Sequence, residues 1–461
     1  MSLPKTYLIT TLARYQTDFW IGVGRELRDR GFEAAFLSFD DRSSELLRKG
    51  GFTVFGPGVI TDGANLNQAE FDAVTVRFGL TDLNYWLSHE KFVFGIHDTR
   101  ALKARLLAYL RLADDGIARL LKEGPVTMVQ EVGGFLSVLA SFFAARHHGL
   151  DNWFIEPAFF RGRMFFYRNS FAAPRVSGTL PQCVSLPVAE YLANTLATQA
   201  IVVPLKDRHQ YRSAASKVFN AKNARRLVEK VFDKYVHRRH MEFGHIGHHA
   251  ATHLRMLRNS SSMKRFYTAL SSVGPFVYYP LHVPGDMALT LRSPEYLDQL
   301  ALIDFLCRST PAGYRVAIKE HPAMIGALDA GRLGELLHRH DHLVVLPPAT
   351  NNYDVLRAAG AIVSVNSKSG AEAALIGKRV LVLGDAFYTD SPIVERVDRL
   401  QDLPRRLSAA LAAPAAPADA DTVARYFELV WRRSLPGELY VPAKESVRTF
   451  TDSMINATSA G

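Results

Sequence analysis

Ile318-Lys319-Glu320-His321-Pro322, read together with Asn366-Ser367-Lys368-Ser369-Gly370-Ala371-Glu372, decides the fold of this chain. The first stretch ends an apolar run, Tyr314 to Ile318, that breaks into Lys, Glu and His before a proline. The second follows another apolar run, Ala361 to Val365, and turns through small residues into a helical pattern. Short β-branched runs that alternate with helical periodicity imply a parallel sheet built from βαβ crossovers. In such a sheet the strand ends and helix N-termini gather on one edge, which is where ligands bind. Amides at a helix N-terminus, serine hydroxyls and a lysine together suit a phosphate group.

Outward from this pair, Phe276 to Tyr279, Leu343 to Leu346 and Arg379 to Leu383 read as further strands. Helices are expected over Pro294 to Cys307, Arg332 to Arg339, Tyr353 to Ala359 and Gly370 to Ile376. Residues 266–461 therefore read as one doubly wound domain, with an Ala- and Pro-rich stretch from Ala409 to Ala420 and a last helix around Thr422 to Arg433, placed to pack back across the domain joint. Residues 1–200 repeat the rhythm. Tyr7 to Leu12, Glu33 to Phe39, Gly51 to Phe55, Val126 to Gln130 and Asn152 to Ile155 read as strands. Thr17 to Arg30 reads as a helix stopped by Gly31. Gly133-Gly134 opens another helix, stopped by Gly149. Residues 201–265 break the pattern with crowded Lys and Arg, and with His interleaved from His237 to His253. They read as a basic helical insertion or connection, interrupted by a loop at Asn259-Ser260-Ser261-Ser262. The expected fold is α/β, with two Rossmann-like doubly wound domains and that insertion.

Composition bounds the partners. The chain has 461 residues, a formal net charge of +10 and a sequence pI near 9.5, a balance that favours an anionic partner. No apolar run approaches the ~20 residues of a membrane span. The N-terminus lacks the features of a signal peptide, so a cytoplasmic protein is expected. Contact with an anionic membrane surface stays open. The basic segment carries no recognised nucleic-acid motif, so no nucleic acid is expected. Cys183 and Cys307 show no metal-ligand spacing and are expected to be reduced and buried; no metal and no cofactor are expected.

Four stretches carry candidate chemistry, and each is by itself equally compatible with a structural strand end. Lys319, His321 and Pro322 would face a donor phosphate or ribose, with His321 able to donate a proton near neutral pH. Ser367, Ser369 and Gly370 would cap a helix against phosphate, with Glu372 on its first turn. That stretch lacks the spacing of a P-loop. His282 and Asp286, followed by Arg292, end a strand and are candidates for acid/base or cation-binding chemistry. Glu131 ends the strand before Gly133-Gly134 and is a candidate base, with Glu156 a second carboxylate on the next strand. The Gly pair is not GxGxxG, which argues against a dinucleotide site.

Three blocks carry a resemblance: FVYYPLHVPGDMALTLRSPEYLDQ from Phe276, AIKEHPAMIG from Ala317 and NSKSGAEAALIGKRVLVLGDAFY from Asn366. In this order and spacing they resemble the bacterial capsule polysaccharide biosynthesis proteins, which include Kdo-type transferases. Departures fall at His282, where that family often has Gln, and at Asn366-Ser367, where it often has Gly-Thr. The resemblance implies a GT-B fold and a nucleotide-sugar donor held mainly by the C-terminal domain. It implies that His321-Pro322 is the nucleotide motif and that Ser367, Ser369, Gly370 and Glu372 line the donor phosphate and ribose. It further implies transfer to a glycan or glycolipid acceptor, with CMP-Kdo as the first donor to consider. The Gly-Gly helix and the strand ending in Glu156-Pro157 also resemble nucleotide-sugar 2-epimerases. A non-catalytic polysaccharide-export component is the remaining alternative.

Overall fold

A computed structural model describes residues 6–57, 66–199, 228–412 and 418–459. Two sheets organise it. The first has seven strands: β1 (Thr6–Thr11), β2 (Glu33–Ser38), β3 (Thr53–Phe55), β4 (Val126–Glu131), β5 (Asn152–Pro157), β6 (Arg163–Arg168) and β13 (Leu435–Pro436). Their spatial order is β13-β6-β5-β4-β1-β2-β3, parallel except where β6 pairs with β5 and with β13. The second sheet has six parallel strands: β7 (Phe276–Pro280), β8 (Arg315–Lys319), β9 (Leu343–Leu346), β10 (Ala361–Ser364), β11 (Val380–Val382) and β12 (Glu395–Arg396). They run β12-β11-β10-β7-β8-β9. Each order reverses once, between β1 and β4 and between β7 and β10, so both sheets are doubly wound with one switch point. The α/β, GT-B-like class read from the sequence holds.

Period-2 alternation divides each sheet's core in two. In the second sheet, Phe276 and Tyr278 face one cluster while Val277 and Tyr279 face another. In the first, Leu8 joins one cluster while Tyr7 and Ile9 join the other. Helices cover all four faces.

The chain ends exchange between the sheets, which a boundary at residue 266 does not capture. Helix Leu186–Thr198 and the stretch Ala158–Phe160 pack in the second sheet's core with Phe427 of helix Ala420–Arg433. The helix that returns to the first sheet is not that one but Lys444–Ser459. Its Val447, Phe450 and Met454 lie at helical spacing against Phe19 and Trp20.

Local readings are corrected in four places. Pro294 begins only a 3₁₀ turn, Pro294–Tyr296. The helix itself is Gln299–Ser309, started by Asp298, whose carboxylate accepts from Ala301 N at 3.3 Å. Asn259 to Ser262 are helical, within Ile246–Met263. Ser260 Oγ donates back to Leu257 O, and Asn259 Nδ2 donates across to the carbonyls of Gly326 and Leu328, so tertiary bonds outweigh loop propensity. Cys183 is exposed, in the connection before helix Leu186–Thr198, while Cys307 is buried as expected. Helices Gln68–Arg77, Leu83–Phe94 and Thr99–Leu121 fill a stretch the sequence reading left without elements. Of the basic insertion, residues 201–227 lie outside the described residues. Helix Ile246–Met263 links the sheets: His245 and His249 pack on Phe94, and Met263 sits in the second sheet's core. No helix among the described residues is long and apolar enough to cross a membrane.

Candidate functional site

The carboxyl edges of the two sheets meet. Glu156, at the end of β5, pairs with Arg292 beyond β7 at 2.6 Å. Lys368, just beyond β10, donates to Ala158 O at 3.1 Å. His89 of helix Leu83–Phe94 shares a 2.6 Å hydrogen bond with Thr290, and Tyr85 donates to the Leu291 carbonyl. The candidate residues from both halves therefore border one joint, at the two switch points.

On the second sheet, β7 delivers His282. Gln299 clamps it through both backbone groups, accepting from His282 N at 2.8 Å and donating to its carbonyl at 3.2 Å. The imidazole Nε2 is buried without a hydrogen-bond partner. Burial, with His321 nearby, pushes its pKa down to about 3, so it is a neutral ring. His321 follows β8. Its Nδ1 accepts from Ala323 N at 3.2 Å, which leaves Nε2 to carry the proton. Glu320 is turned away: its carboxylate accepts from Gly326 N at 2.9 Å and closes the turn that carries His321 and Pro322.

Lys319 is 4 % exposed, and its ammonium donates to Thr350 O at 2.9 Å. Burial lowers its pKa to about 8, and the charge of Glu372 opposes that shift. Glu372 is itself buried, which raises its pKa, and accepts from Asn352 Nδ2 at 3.0 Å. Asn352 Nδ2 also donates to Ser369 Oγ at 3.1 Å, and Tyr278 OH donates to its carbonyl oxygen. Lys319, Glu372, Asn352 and Ser369 thus form one linked set beneath the edge.

Ser367 caps helix Lys368–Leu375, accepting from Ser369 N at 3.2 Å. Gly370 has a different reason from the expected one. A Cβ there would collide with Tyr388 Oη, which donates to Ser367 O. The glycine admits the tyrosine that fixes this turn. Asp286 is exposed and caps the short helix Met287–Thr290, accepting from Ala288 N at 2.9 Å.

On the first sheet, Glu131 ends β4 at the switch point. Tyr440, beyond β13, donates to Glu131 Oε2 at 2.5 Å and accepts from Gln16 Nε2 at 2.9 Å. Gln16 Oε1 in turn accepts from Leu12 N, at the end of β1. Gly134 admits His89, whose ring a Cβ would strike. The helix it precedes is capped by two carboxylates: Glu90 accepts from Leu136 N at 3.0 Å and Glu242 accepts from Ser137 Oγ at 2.7 Å. That N-terminus is filled by protein carboxyl groups.

The structure thus brings His282, Lys319, His321, Pro322, Ser367, Ser369, Gly370 and Glu372 to one edge, with Glu131 on the facing sheet. Thr350, Asn352, Tyr388, Tyr440 and Gln16 support them and were not read from the sequence. Only the Asn351-Asn352 pair, a helix-start signal after a strand, pointed to any of these.

The family described as capsule polysaccharide biosynthesis protein matches residues 139–394. Protein FixF of Sinorhizobium fredii (strain NBRC 101917 / NGR234) is 31% identical over 153 residues. That match spans 33% of this chain and 36% of FixF, so the chain covers about a third of that relative. Among solved structures, the Thermosulfurimonas dismutans KpsC β-Kdo 2,7 transferase matches at 13% identity, over 74% of this chain and 88% of that one, with a TM-score of 0.35. A UDP-GlcNAc 2-epimerase from Neisseria meningitidis matches at 11% identity over 99% and 100%, with a TM-score of 0.28.

Proposed function

The chain belongs to the capsule polysaccharide biosynthesis protein family, and from that premise we propose that it is a glycosyltransferase of surface polysaccharide assembly that uses a nucleotide-sugar donor. The observation that carries the reading is the convergence of Lys319, His321 and the Ser367–Ser369 turn at the switch point between β7 and β10, with Glu131 on the sheet that meets it. The donor nucleotide occupies the second sheet's edge. His321 Nε2–H and the helix N-terminus at Ser367 meet its phosphate, while Lys319 lends positive charge from beneath. Glu131 takes the proton of the acceptor hydroxyl as it attacks the sugar's anomeric carbon, and the nucleotide leaves with the bonding electrons. The acceptor is a glycan or glycolipid, and the basic segment holds the protein against an anionic membrane surface where a lipid-borne acceptor resides.

CMP-Kdo is the donor proposed first, because a sugar that itself carries a carboxylate suits a chain of net charge +10. Calorimetry with CMP, UDP and GDP tests this. Tight binding of CMP alone is the expected result. Preference for UDP would move the donor to another class. Release of UDP and a 2-epimer from a UDP-sugar without acceptor would replace transfer with epimerisation. Binding of none of the three would remove the nucleotide site.

A further inference from the structure

Cys307, His340 and His342 converge at the end of the second sheet opposite the candidate site. Cys307 lies in the last turn of helix Gln299–Ser309. His340 and His342 flank Asp341 in the turn between helix Ala330–Arg339 and the start of β9. One ligand-type atom from each of the three lies within 4.8 Å of the other two. Bonds of about 2.3 Å to sulfur and 2.0 Å to nitrogen in a tetrahedral zinc site place such atoms roughly 3.3–3.8 Å apart. Small side-chain rotations therefore close the set.

The surroundings fit ligation as well as the three atoms do. Cys307 is 2 % exposed and His340 8 %. His340 Nε2 lies 2.8 Å from Asp304 Oδ1, and Asp304 is itself held by Arg308 at 3.0 Å and Arg339 at 3.1 Å. His342 Nε2 lies 3.0 Å from the carbonyl oxygen of Cys307. Each imidazole thus has an oxygen within hydrogen-bond reach of Nε2, which holds the ring in place. Metal-binding histidines are oriented by such partners. His342 Nδ1 also faces the Asp341 carboxylate at 3.4 Å, so an oxygen stands beside the third ligand.

We propose that Cys307, His340 and His342 bind one thiophilic divalent cation of the zinc class, with Asp304 positioning His340 and water or Asp341 completing the coordination. On binding, the Cys307 thiol gives up its proton to solvent and the sulfur–metal bond replaces it. The ion ties two helix ends to the turn that leads into β9. It lies away from the strand ends that carry His282, Lys319 and His321, so its role is structural. The sequence reading expected no metal because the cysteine lies on a different element from the two histidines and far from them in the chain.

The test uses the full chain, reduced and stripped with a chelator, then titrated with Co²⁺. The expected result is one equivalent bound, with a sulfur-to-cobalt charge-transfer band that Zn²⁺ removes. Cys183→Ser keeps the band and Cys307→Ser loses it. Asp304→Asn weakens binding about 10–100-fold. No band in the wild-type protein overturns the proposal, as does a band that survives Cys307→Ser. Should the buried Cys307→Ser variant not fold, His342→Gln at the partly exposed position decides: affinity falls tenfold or more if the proposal holds, and an unchanged affinity overturns it.

Discussion

Arg292 Nη2 lies 2.6 Å from Glu156 Oε2 and 2.8 Å from Tyr167 OH, and this contact ties the loop beyond β7 to the end of β5. The guanidinium also donates through Nε to Phe171 O at 2.8 Å. With the arginine and carboxylate side chains only 8% and 15% exposed, both charges depend on one another for solvation. The sequence reading offered Glu156 as a second carboxylate candidate, and placed Arg292 after His282 and Asp286 in a turn suited to acid/base or cation-binding chemistry. The structure uses them on each other, as one ionic contact between the two halves, alongside Arg175 with Asp385 and Asp390.

Arg292→Ala leaves Glu156 and Tyr167 buried beside no cation. Removing one member of a buried pair costs about 3–5 kcal/mol. The urea midpoint should fall accordingly, and Glu156→Gln should cost less because it keeps a hydrogen-bond acceptor. An unchanged midpoint for Arg292→Ala would show that the pair contributes nothing to holding the halves together.

Lys319 predicts a pH dependence. Its folded-state pKa of about 8 lies below the ordinary lysine value of 10.5. Between those values the unfolded chain binds more protons, so this group makes stability rise with pH across that window. Nucleotide affinity moves the other way. An anion favours the ammonium form, so affinity should fall above about pH 8, by up to about tenfold per unit. Calorimetry from pH 7 to 9.5 on wild type and Lys319→Met checks this; the same slope in both proteins would exclude Lys319 from the site.

Gly370 and Tyr388 should behave as a pair. Gly370→Ala drives a methyl into Tyr388 Oη, and overpacking of this kind typically costs about 1–3 kcal/mol. Tyr388→Phe removes the oxygen that the methyl meets, along with its bond to Ser367 O. The double variant should therefore lose less stability than the sum of the singles. If Gly370 instead made room for phosphate, Gly370→Ala would lose nucleotide affinity with no recovery in the double variant.

The architecture was legible because strands such as Val316–Ile318 and Ala361–Val363 are continuous apolar runs that end in polar residues, a signal that survives in any buried parallel sheet. The ends of the chain were not legible. Nothing in the periodicity of Lys444–Ser459 says which of two apolar faces it covers. The donor edge was read as a set of exposed contacts, yet Glu372 and Lys319 are nearly buried and face Asn352 and Thr350, because strand-end position does not fix side-chain direction. Tyr440 lies more than three hundred residues from Glu131, so no local pattern could pair them.

Glu131 and Tyr440 predict a division of effects. Glu131→Gln should lower transfer by about 10²–10⁴-fold while nucleotide affinity holds, since a general base acts only in the reaction. Tyr440→Phe removes the hydroxyl that links Gln16 to Glu131, and should lower transfer by a smaller factor while nucleotide affinity again holds. Full turnover in Glu131→Gln would assign the base to another residue.

The basic segment makes the last prediction. Phe232, Tyr235 and Val236 are 53%, 65% and 59% exposed, and Leu254 is 70% exposed, beside exposed Arg238, Arg255 and Arg258. Aromatic and aliphatic side chains among cations suit the headgroup layer, where apolar groups enter and each Lys or Arg adds about 1 kcal/mol with anionic lipid. Not all of the charge is available, because Arg239 is taken up by Asp233 and Glu45. Co-sedimentation should therefore depend on both parts. Binding to anionic vesicles should weaken as salt approaches 1 M and the screening length falls to about 3 Å. Phe232→Ser with Tyr235→Ser should weaken it further at every salt concentration. Neutral vesicles should bind poorly throughout. Equal binding to both vesicle types, or none to either, would leave the segment as a solvated surface and the acceptor's lipid without support.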